Sequence, residues 1–400
     1  MLRAACVSAL LSSGCDVLDL GVCPTPLLQK AVRRRKAGGG VSITAGHNDV
    51  SWNALAFIGP DGSPLNPFQG EEVLDYYHLG RFERAAVDHL GRLIPVPTAE
   101  TADFYFKELG AFIEAAAVRA ARFRVVIDAC AGAGAPFLAR FADTLGFDLI
   151  PLNDEPNGFF PHDPEPRPRN AAQCASVVRA AGAEAGFLLN SDAGRVSLVS
   201  ETAEALSEEY TFPLVADSVL ARCSGPVVTN NSTSRMIEDV ARARRCPLIR
   251  TRVGPAPIFL ALAQEDGILA GEGSGGVAVP AFQPAFDAFL TMGLVLETMA
   301  KTGQRLSALV DRLPRYHIVK EKVYCPASRI HGVISEIARM FRGRDVDTGD
   351  GIRVEDKQGW VQVRASGTEP MLRVVAEDRS RERAREKVDE ILRSLERMIP

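Results

Sequence analysis

Apolar and polar positions run along the 400 residues in two rhythms. Short apolar runs of strand length give way to stretches with helical spacing, and the exchange repeats through the first three quarters of the chain. The opening stretch, Leu2 to Leu11, predicts a helix ending near Gly14, and Asp16 to Leu20 a buried strand. Thr25-Pro26 reads as an N-cap with proline at the first helical position. That helix closes on Arg33-Arg34-Arg35-Lys36, where positive charge is favourable, and Gly38-Gly39-Gly40 acts as a stop. Val41 to Thr44 is the next strand. The loop from Ala45 to Asn53 therefore falls at a strand's carboxyl end, where α/β sheets bind ligands.

A second unit starts near residue 101. Val125 to Asp128 predicts a strand, followed by a Gly/Ala turn from Cys130 to Ala135 that does not match a dinucleotide fingerprint. The proline-dense stretch from Pro156 to Arg169 predicts an ordered surface or interdomain loop. A helix from Ala172 to Ala181, a strand from Gly186 to Leu189, a loop from Asn190 to Arg195 and a strand from Val196 to Ser200 follow. A third unit holds the strand Val227 to Thr229, a helix from Thr233 to Arg244 and the strand Leu248 to Arg252. It ends on Ile268 to Ala270 and the loop Gly271 to Gly276. These units are comparable in size without a direct sequence repeat. The last quarter has a helix around Ser328 to Arg342, three short strands between Ile352 and Ala376, and a charged helix from Arg379 to Met398, the pattern of a small α+β domain. The expected organisation is three mixed α/β/α sandwich domains (1–100, 101–205, 206–310) and a C-terminal α+β domain (311–400).

Composition narrows the function. The chain is 46% hydrophobic and 24% charged, with a net charge of −4, which gives no reason to expect a nucleic-acid partner. Eight scattered cysteines without a Cys-x-x-Cys pair argue against zinc and a disulfide framework and predict a reducing, cytoplasmic setting. Met1 to Cys15 faintly resembles a lipoprotein signal, but its apolar run is short and a strand follows directly. No apolar segment is long enough to predict a membrane span.

Four loops carry chemistry. Arg364-Ala365-Ser366-Gly367-Thr368-Glu369-Pro370, with Arg373 beyond it, gathers two guanidiniums and two hydroxyls around a permissive glycine. Such groups supply forked donors and close backbone N–H approach to a phosphate. The heptapeptide resembles the phosphate-binding loop of the α-D-phosphohexomutases, the phosphoglucomutase/phosphomannomutase family; Asp350-Gly351 and Gly359-Trp360 also resemble that family's fourth domain. Gly271-Glu272-Gly273-Ser274-Gly275 resembles its sugar-specificity loop, which implies that Glu272 and Ser274 contact sugar hydroxyls. Thr44-Ala45-Gly46-His47-Asn48 resembles the phosphoserine loop, and Asn190-Ser191-Asp192-Ala193-Gly194-Arg195 the metal loop. The resemblance implies transfer of a phosphoryl group between a phosphoserine and a hexose phosphate, through a hexose 1,6-bisphosphate, with Mg²⁺ held by three aspartates.

The chain departs from that pattern at the reacting centre. Gly46 stands at the phosphoserine position and has no oxygen to phosphorylate. The metal loop retains Asp192, while Asn190 and Gly194 replace two aspartates; Asn190 and Asp192 together imply a weak Mg²⁺ site. Ala56 stands where the family has a lysine. His47, Asn48 and Arg195 persist, either shaping an anion pocket or serving as loop hydrogen-bonders. The expected function is hexose phosphate binding (glucose, mannose or glucosamine phosphate) through Glu272, Ser274, Arg364, Ser366, Gly367, Thr368 and Arg373, with phosphotransfer weak or lost. Two alternatives stand beside it. One is an active mutase using Ser42, Thr44, Ser51 or His47 as nucleophile, although strand neighbours of Gly46 are expected to point elsewhere. The other is a non-catalytic regulatory or interaction protein. The chain opens on a helix that the family places after its first strands, so the first domain is expected either to begin upstream or to have an incomplete sheet with an open edge. No protein partner is identifiable from the sequence.

Overall fold

The computed structural model describes residues 1–46, 48, 51–367 and 369–399. Of the candidate site residues, His47 and Thr368 lie outside the described residues.

The first unit comprises α1 (Leu2–Ser12), β1 (Val17–Asp19), α2 (Thr25–Arg35), β2 (Gly40–Ile43), β3 (Leu55–Ile58), α3 (Pro67–Leu79) and β4 (Leu93–Pro95). β1 pairs in parallel with β4, and β2 antiparallel with β3, so the unit carries two separate two-stranded sheets. α2 starts differently from the sequence reading. Pro24 is the N-cap, Thr25 is the first helical residue, and no side chain caps the helix. The reason is that the Thr25 hydroxyl is claimed elsewhere, as the site shows. α2 ends on Lys36 in the left-handed region, short of the glycines. α3 opens with a reciprocal cap between Asn66 and Gln69 and buries none of its residues.

The second unit comprises α4 (Thr98–Phe112), α5 (Ala115–Ala121), β5 (Arg124–Asp128), α6 (Leu138–Leu145), β6 (Asp148–Leu152), α7 (Ala172–Ala181), β7 (Ala185–Leu189) and β8 (Val196–Ser200). Its sheet runs β6-β5-β7-β8, parallel except for the edge strand β8. The proline-dense loop is pinned to this sheet: His162 Nε2 lies 3.2 Å from Asp128 Oδ2 at the end of β5. The third unit comprises α8 (Thr211–Leu220), β9 (Val227–Asn230), α9 (Met236–Ala243), β10 (Leu248–Thr251), α10 (Pro255–Gln264), β11 (Leu269–Glu272), β12 (Gly276–Ala278) and α11 (Ala288–Thr302). Its order, β10-β9-β11-β12 with an antiparallel edge strand, repeats that of the second unit. The architecture therefore recurs where the sequence shows no repeat.

α11 passes between these sheets and is buried on nearly every side, which is why its sequence shows no amphipathic stripe. Its Phe289 packs edge-on against Phe106 and Phe141 with ring centroids 5.3 Å away in each case. Each such ring contributes roughly 1.5–3 kcal/mol by burial, so one core joins the first three units.

The last unit comprises α12 (Leu306–Asp311), β13 (His317–Tyr324), α13 (Ala327–Met340), β14 (Val346–Asp347), β15 (Ile352–Glu355), β16 (Trp360–Ala365), β17 (Met371–Asp378) and α14 (Arg381–Met398). The five strands are antiparallel in the order β13-β17-β16-β15-β14. One face packs Val354, Val363 and Val374 against Val333, Ile337, Val388 and Ile391 of the two long helices in a core of its own. Polar side chains of this sheet meet the turn after β9: Ser232 Oγ donates to Gln362 Oε1 at 2.5 Å, and the Arg235 N–H donates to Glu377 Oε1 at 3.0 Å.

Candidate functional site

The loops after β2, β7 and β11 are joined by hydrogen bonds, and Arg364, which opens the turn between β16 and β17, lies within the electrostatic reach of Glu272. Asp192 is the hub of the first two. Its Oδ2 accepts from the Thr25 hydroxyl at 3.1 Å and from the Thr44 hydroxyl at 3.2 Å. Its Oδ1 accepts from Asn190 Nδ2 at 2.7 Å and the Gly194 N–H at 3.2 Å. Because the Thr25 proton goes to the carboxylate, the Ser42 hydroxyl, 3.0 Å away, donates to Thr25 Oγ1. Ser42 and Thr44 therefore turn their hydroxyls into the site. Thr44 continues the pairing just past β2, its N–H donating to the Ala54 carbonyl at 2.9 Å, and residues two apart in extended chain share a face, which corrects the expectation that Gly46's strand neighbours point elsewhere.

Gly46 follows in the left-handed region at φ +62°, with open space where a Cβ would stand. Its N–H donates to Thr44 Oγ1 at 2.8 Å, and its carbonyl accepts from the Ser191 hydroxyl at 2.5 Å. Asn48 turns its amide back to the Ala45 carbonyl at 3.1 Å, bracing its own loop. The Gly/Ala turn after β5 is the seat of the Asn190–Arg195 loop: the Ala133 N–H donates to the Ser191 carbonyl at 2.7 Å, and a Cβ on Gly132 would fall 2.4 Å from that oxygen.

This donor set does not fit a divalent cation. Both oxygens of Asp192 are occupied by donors from the chain, and Asn190 points its oxygen at the Arg195 N–H, 2.9 Å away. The amide expected as a weak ligand is thus a hydrogen-bonding brace. Among the described residues no cluster of three or more His, Cys, Asp or Glu side chains is arranged to hold a metal.

The sugar-loop candidates lie next to this hub. Glu272, 5% exposed, accepts from Arg195 Nε at 2.9 Å and from the Ser274 hydroxyl at 2.5 Å on Oε1, and from Asn230 Nδ2 at 3.3 Å on Oε2. Arg195 Nη2 lies 2.7 Å from the same Oε1. Burial lowers the Arg195 pKa, but Glu272 and Asp192 outweigh it and raise the net value, so the guanidinium is a fixed positive charge. The hairpins β7–β8 and β11–β12 are tied by the Val196 N–H donating to the Gly275 carbonyl at 3.1 Å. Beneath the loop, Lys320 of β13 lies 2.9 Å from Glu208 Oε1 and 2.7 Å from Glu209 Oε1, and its ammonium donates to the Gly273 carbonyl at 3.2 Å. Gly273 is required there, because a Cβ would lie 2.1 Å from Glu209 Oε2. This clasp, from three elements distant in sequence, is absent from the motif reading.

In the last unit Arg364 and Arg373 stand directly opposite one another on β16 and β17. Arg373 Nη2 reaches Glu369 Oε2 at 3.1 Å. Arg364 donates through Nη1 to the Ala365 carbonyl at 3.1 Å, while its buried Nε has no hydrogen-bond acceptor. Burial is the largest influence on Arg364 and lowers its pKa; Asp350 and Glu272 oppose this, and Arg373 adds to it. Like charges opposite one another destabilise a sheet, and an oxyanion between them would relieve that strain. Ser366 is half-buried with its N–H on the Met371 carbonyl at 2.8 Å, and Gly367 is exposed with free space around it.

Comparison with known proteins agrees with this assembly. Models of the four domains of phosphoglucomutase/phosphomannomutase match in order: alpha/beta/alpha domain I at residues 1–84, domain II at 103–203, domain III at 207–316 and the C-terminal domain at 323–394. A phosphoglucomutase/phosphomannomutase of Thermococcus kodakarensis is 34% identical over 403 residues, covering 100% of this chain and 88% of the relative. A protein of Methanopyrus kandleri named "Probable phosphoglucosamine mutase" is 33% identical over 402 residues, with 100% and 88% covered. The crystal structure of a phosphoglucomutase/phosphomannomutase family protein from Burkholderia thailandensis shares the fold at a TM-score of 0.85 and 24% identity, covering 99% of this chain and 86% of that one. The fold, the order of the four loops and these matches together place the chain in the phosphoglucomutase/phosphomannomutase family.

Proposed function

We propose that this protein binds hexose phosphates of the glucose, mannose or glucosamine class, with phosphoserine-dependent phosphotransfer weak or lost. In this reading Arg364, Arg373, Ser366, Gly367 and Thr368 hold the phosphate, and Glu272 and Ser274 meet the sugar. The supporting observation is the opposed pair of arginines, which carries one carboxylate partner and one buried N–H without an acceptor. The reacting centre supports loss of the phosphoserine step: Gly46 offers only backbone, and Asp192 is saturated by the chain's own donors. Calorimetric titration with glucose 6-phosphate, mannose 6-phosphate and glucosamine 6-phosphate tests the reading. Binding that Arg364→Ala or Arg373→Ala weakens is expected; no binding, or binding indifferent to both arginines, would sink it.

A second reading, an active mutase, is favoured by one feature. The Thr44 hydroxyl lies 3.2 Å from Asp192 Oδ2, a carboxylate able to take its proton. A coupled mutase assay primed with hexose bisphosphate separates the two readings. Turnover lost in Thr44→Val, with phosphate found on Thr44 by mass spectrometry, selects the second.

A further inference from the structure

The seam between the third and fourth units carries an open pocket of about 320 Å³, lined by residues outside the four loops. Arg250 and Arg252, at the end of β10, line one side, and Asp347, Arg353 and Glu355, from β14 and β15, the other, with Asn231 between them. Arg353 is the unusual member. It is 2% exposed, and its guanidinium stacks over the Trp360 indole, 4.5 Å from the centroid. Its Nη1 donates to the Asn231 carbonyl, and its Nη2 lies 2.7 Å from Glu355 Oε1 without an aligned hydrogen bond. Its Nε has no acceptor at all. A buried charged donor left without an acceptor costs more than a neutral one, so this arginine is poised for a further anionic partner.

The surrounding charges point the same way. Arg250 donates through Nε to Glu238 and through Nη1 to the Asn230 and Thr233 carbonyls, which leaves its Nη2, 2.8 Å from Glu238 Oε1, as the one nitrogen without an aligned hydrogen bond. Arg252 is exposed at the rim; its carbonyl accepts from the Thr251 hydroxyl at 2.8 Å, and its guanidinium has no hydrogen bond or ion pair among the described residues. The carboxylates are already engaged. Glu355 is shared between Arg353 and Arg235, 2.5 Å away, and Asp347 accepts from Asn231 Nδ2 at 3.0 Å and the Gly349 N–H at 2.7 Å. Burial and then the adjacent Arg250 lower the Arg353 pKa to about 10. Arg353 is influenced chiefly by burial and Arg250, whereas Arg364 is influenced chiefly by burial and Asp350.

We propose that this cavity is a second anion site, taking a phosphate-type oxyanion, free or as a monoester, between Arg250 and Arg252 of the third unit and Arg353 of the fourth. Guanidinium donors on both sides of the pocket suit such an oxyanion. The bound ion bridges the two units across a seam already tied by the Val253 N–H donating to Asp350 Oδ2 at 2.8 Å.

The test uses the full chain carrying Arg364→Ala and Arg373→Ala, so that the loop in the last unit contributes nothing and the proposed sugar-phosphate reading is not at stake. Inorganic phosphate and glucose 6-phosphate are titrated separately by calorimetry, and the tighter of the two identifies whether free ion or ester is preferred. Binding of one equivalent is expected. Adding Arg252→Ala, at an exposed position whose guanidinium has no partner among the described residues, is expected to weaken it about tenfold or more, the loss typical of one charge-assisted contact. Arg353→Met, checked for folding by its melting curve, is expected to abolish it. Absence of binding for both probes, or affinity unchanged by Arg252→Ala, would overturn the proposal.

Discussion

Thr25 and Asp192 are 167 positions apart and joined twice: the Thr25 hydroxyl donates to Asp192 Oδ2, and the Thr25 N–H donates to the Asp192 carbonyl, both at 3.1 Å. The first N–H of α2 is thereby satisfied by the loop of another unit. The start of the helix and the degenerate metal loop are fixed as one object.

Thr25→Val keeps the shape but removes the hydroxyl. It leaves Asp192 short of a donor and Ser42 without its acceptor. A loss of roughly 1–3 kcal/mol is expected, the cost of unsatisfied buried polar groups. Urea unfolding measures it, and amide exchange at the first turn of α2 should accelerate in the same variant.

Divalent cations should leave the unaltered protein's melting temperature unmoved, because every oxygen of Asp192 already has a donor. Asn190→Asp with Gly194→Asp places three carboxylates in one loop, where their mutual repulsion favours a cation. That variant is expected to be less stable without Mg²⁺ and to gain melting temperature when Mg²⁺ is added. Gly46→Ser adds an oxygen in open space, at a cost of about 1–2 kcal/mol for its left-handed backbone. A magnesium response in the unaltered chain would count against this account of the loop.

Gly273→Ala drives a methyl into the Glu209 carboxylate beneath it. The Lys320 clasp must then shift, and with it the backbone carrying Glu272 and Ser274. A loss of about 1–3 kcal/mol is expected from overpacking. Hexose phosphate affinity should fall while the affinity for inorganic phosphate at the arginine loop stays the same.

Glu209 gives the clasp a pH dependence. Burial raises its pKa to about 7, with Lys320 opposing and Glu208 adding to the rise. The folded state therefore holds a proton that the unfolded chain releases near the ordinary carboxylate value. Stability from this group is fully present below about pH 4.5 and is lost as pH climbs through about 7. Melting curves of the unaltered protein and Glu209→Gln should diverge across that window, by roughly 2 °C or more. Parallel curves would show that Glu209 is ionised throughout.

The readable parts of the site are those that are local in sequence. The stretch from Arg364 to Arg373 is one turn between paired strands, so its chemistry lies in adjacent letters. The same is true of Glu272 and Ser274. The Thr25-Pro26 pattern suits a cap, and only the packing of the second unit against α2 diverts the hydroxyl. Lys320 carries no mark in the sequence because β13 mixes charge with its alternation (Lys320, Glu321, Lys322) and its partners lie 112 and 111 positions away, a relationship that tertiary packing alone creates. α11 carries none because a helix buried on nearly every side has no polar face to mark it. Asn190 was expected to face a cation with its oxygen, and the structure instead turns that oxygen to a backbone N–H.

The repeated strand order of the second and third units also has a consequence for how the chain can change. The hairpins β7–β8 and β11–β12 are counterparts, one in each unit, and they meet rim to rim through Arg195, Glu272, Val196 and Gly275. The two hairpins thus face one another across these contacts, each serving as the other's wall. Drift in one is filtered by the other: Arg195 and Glu272 can be exchanged only together, and a loop grafted from a relative should be transplanted with its opposite number.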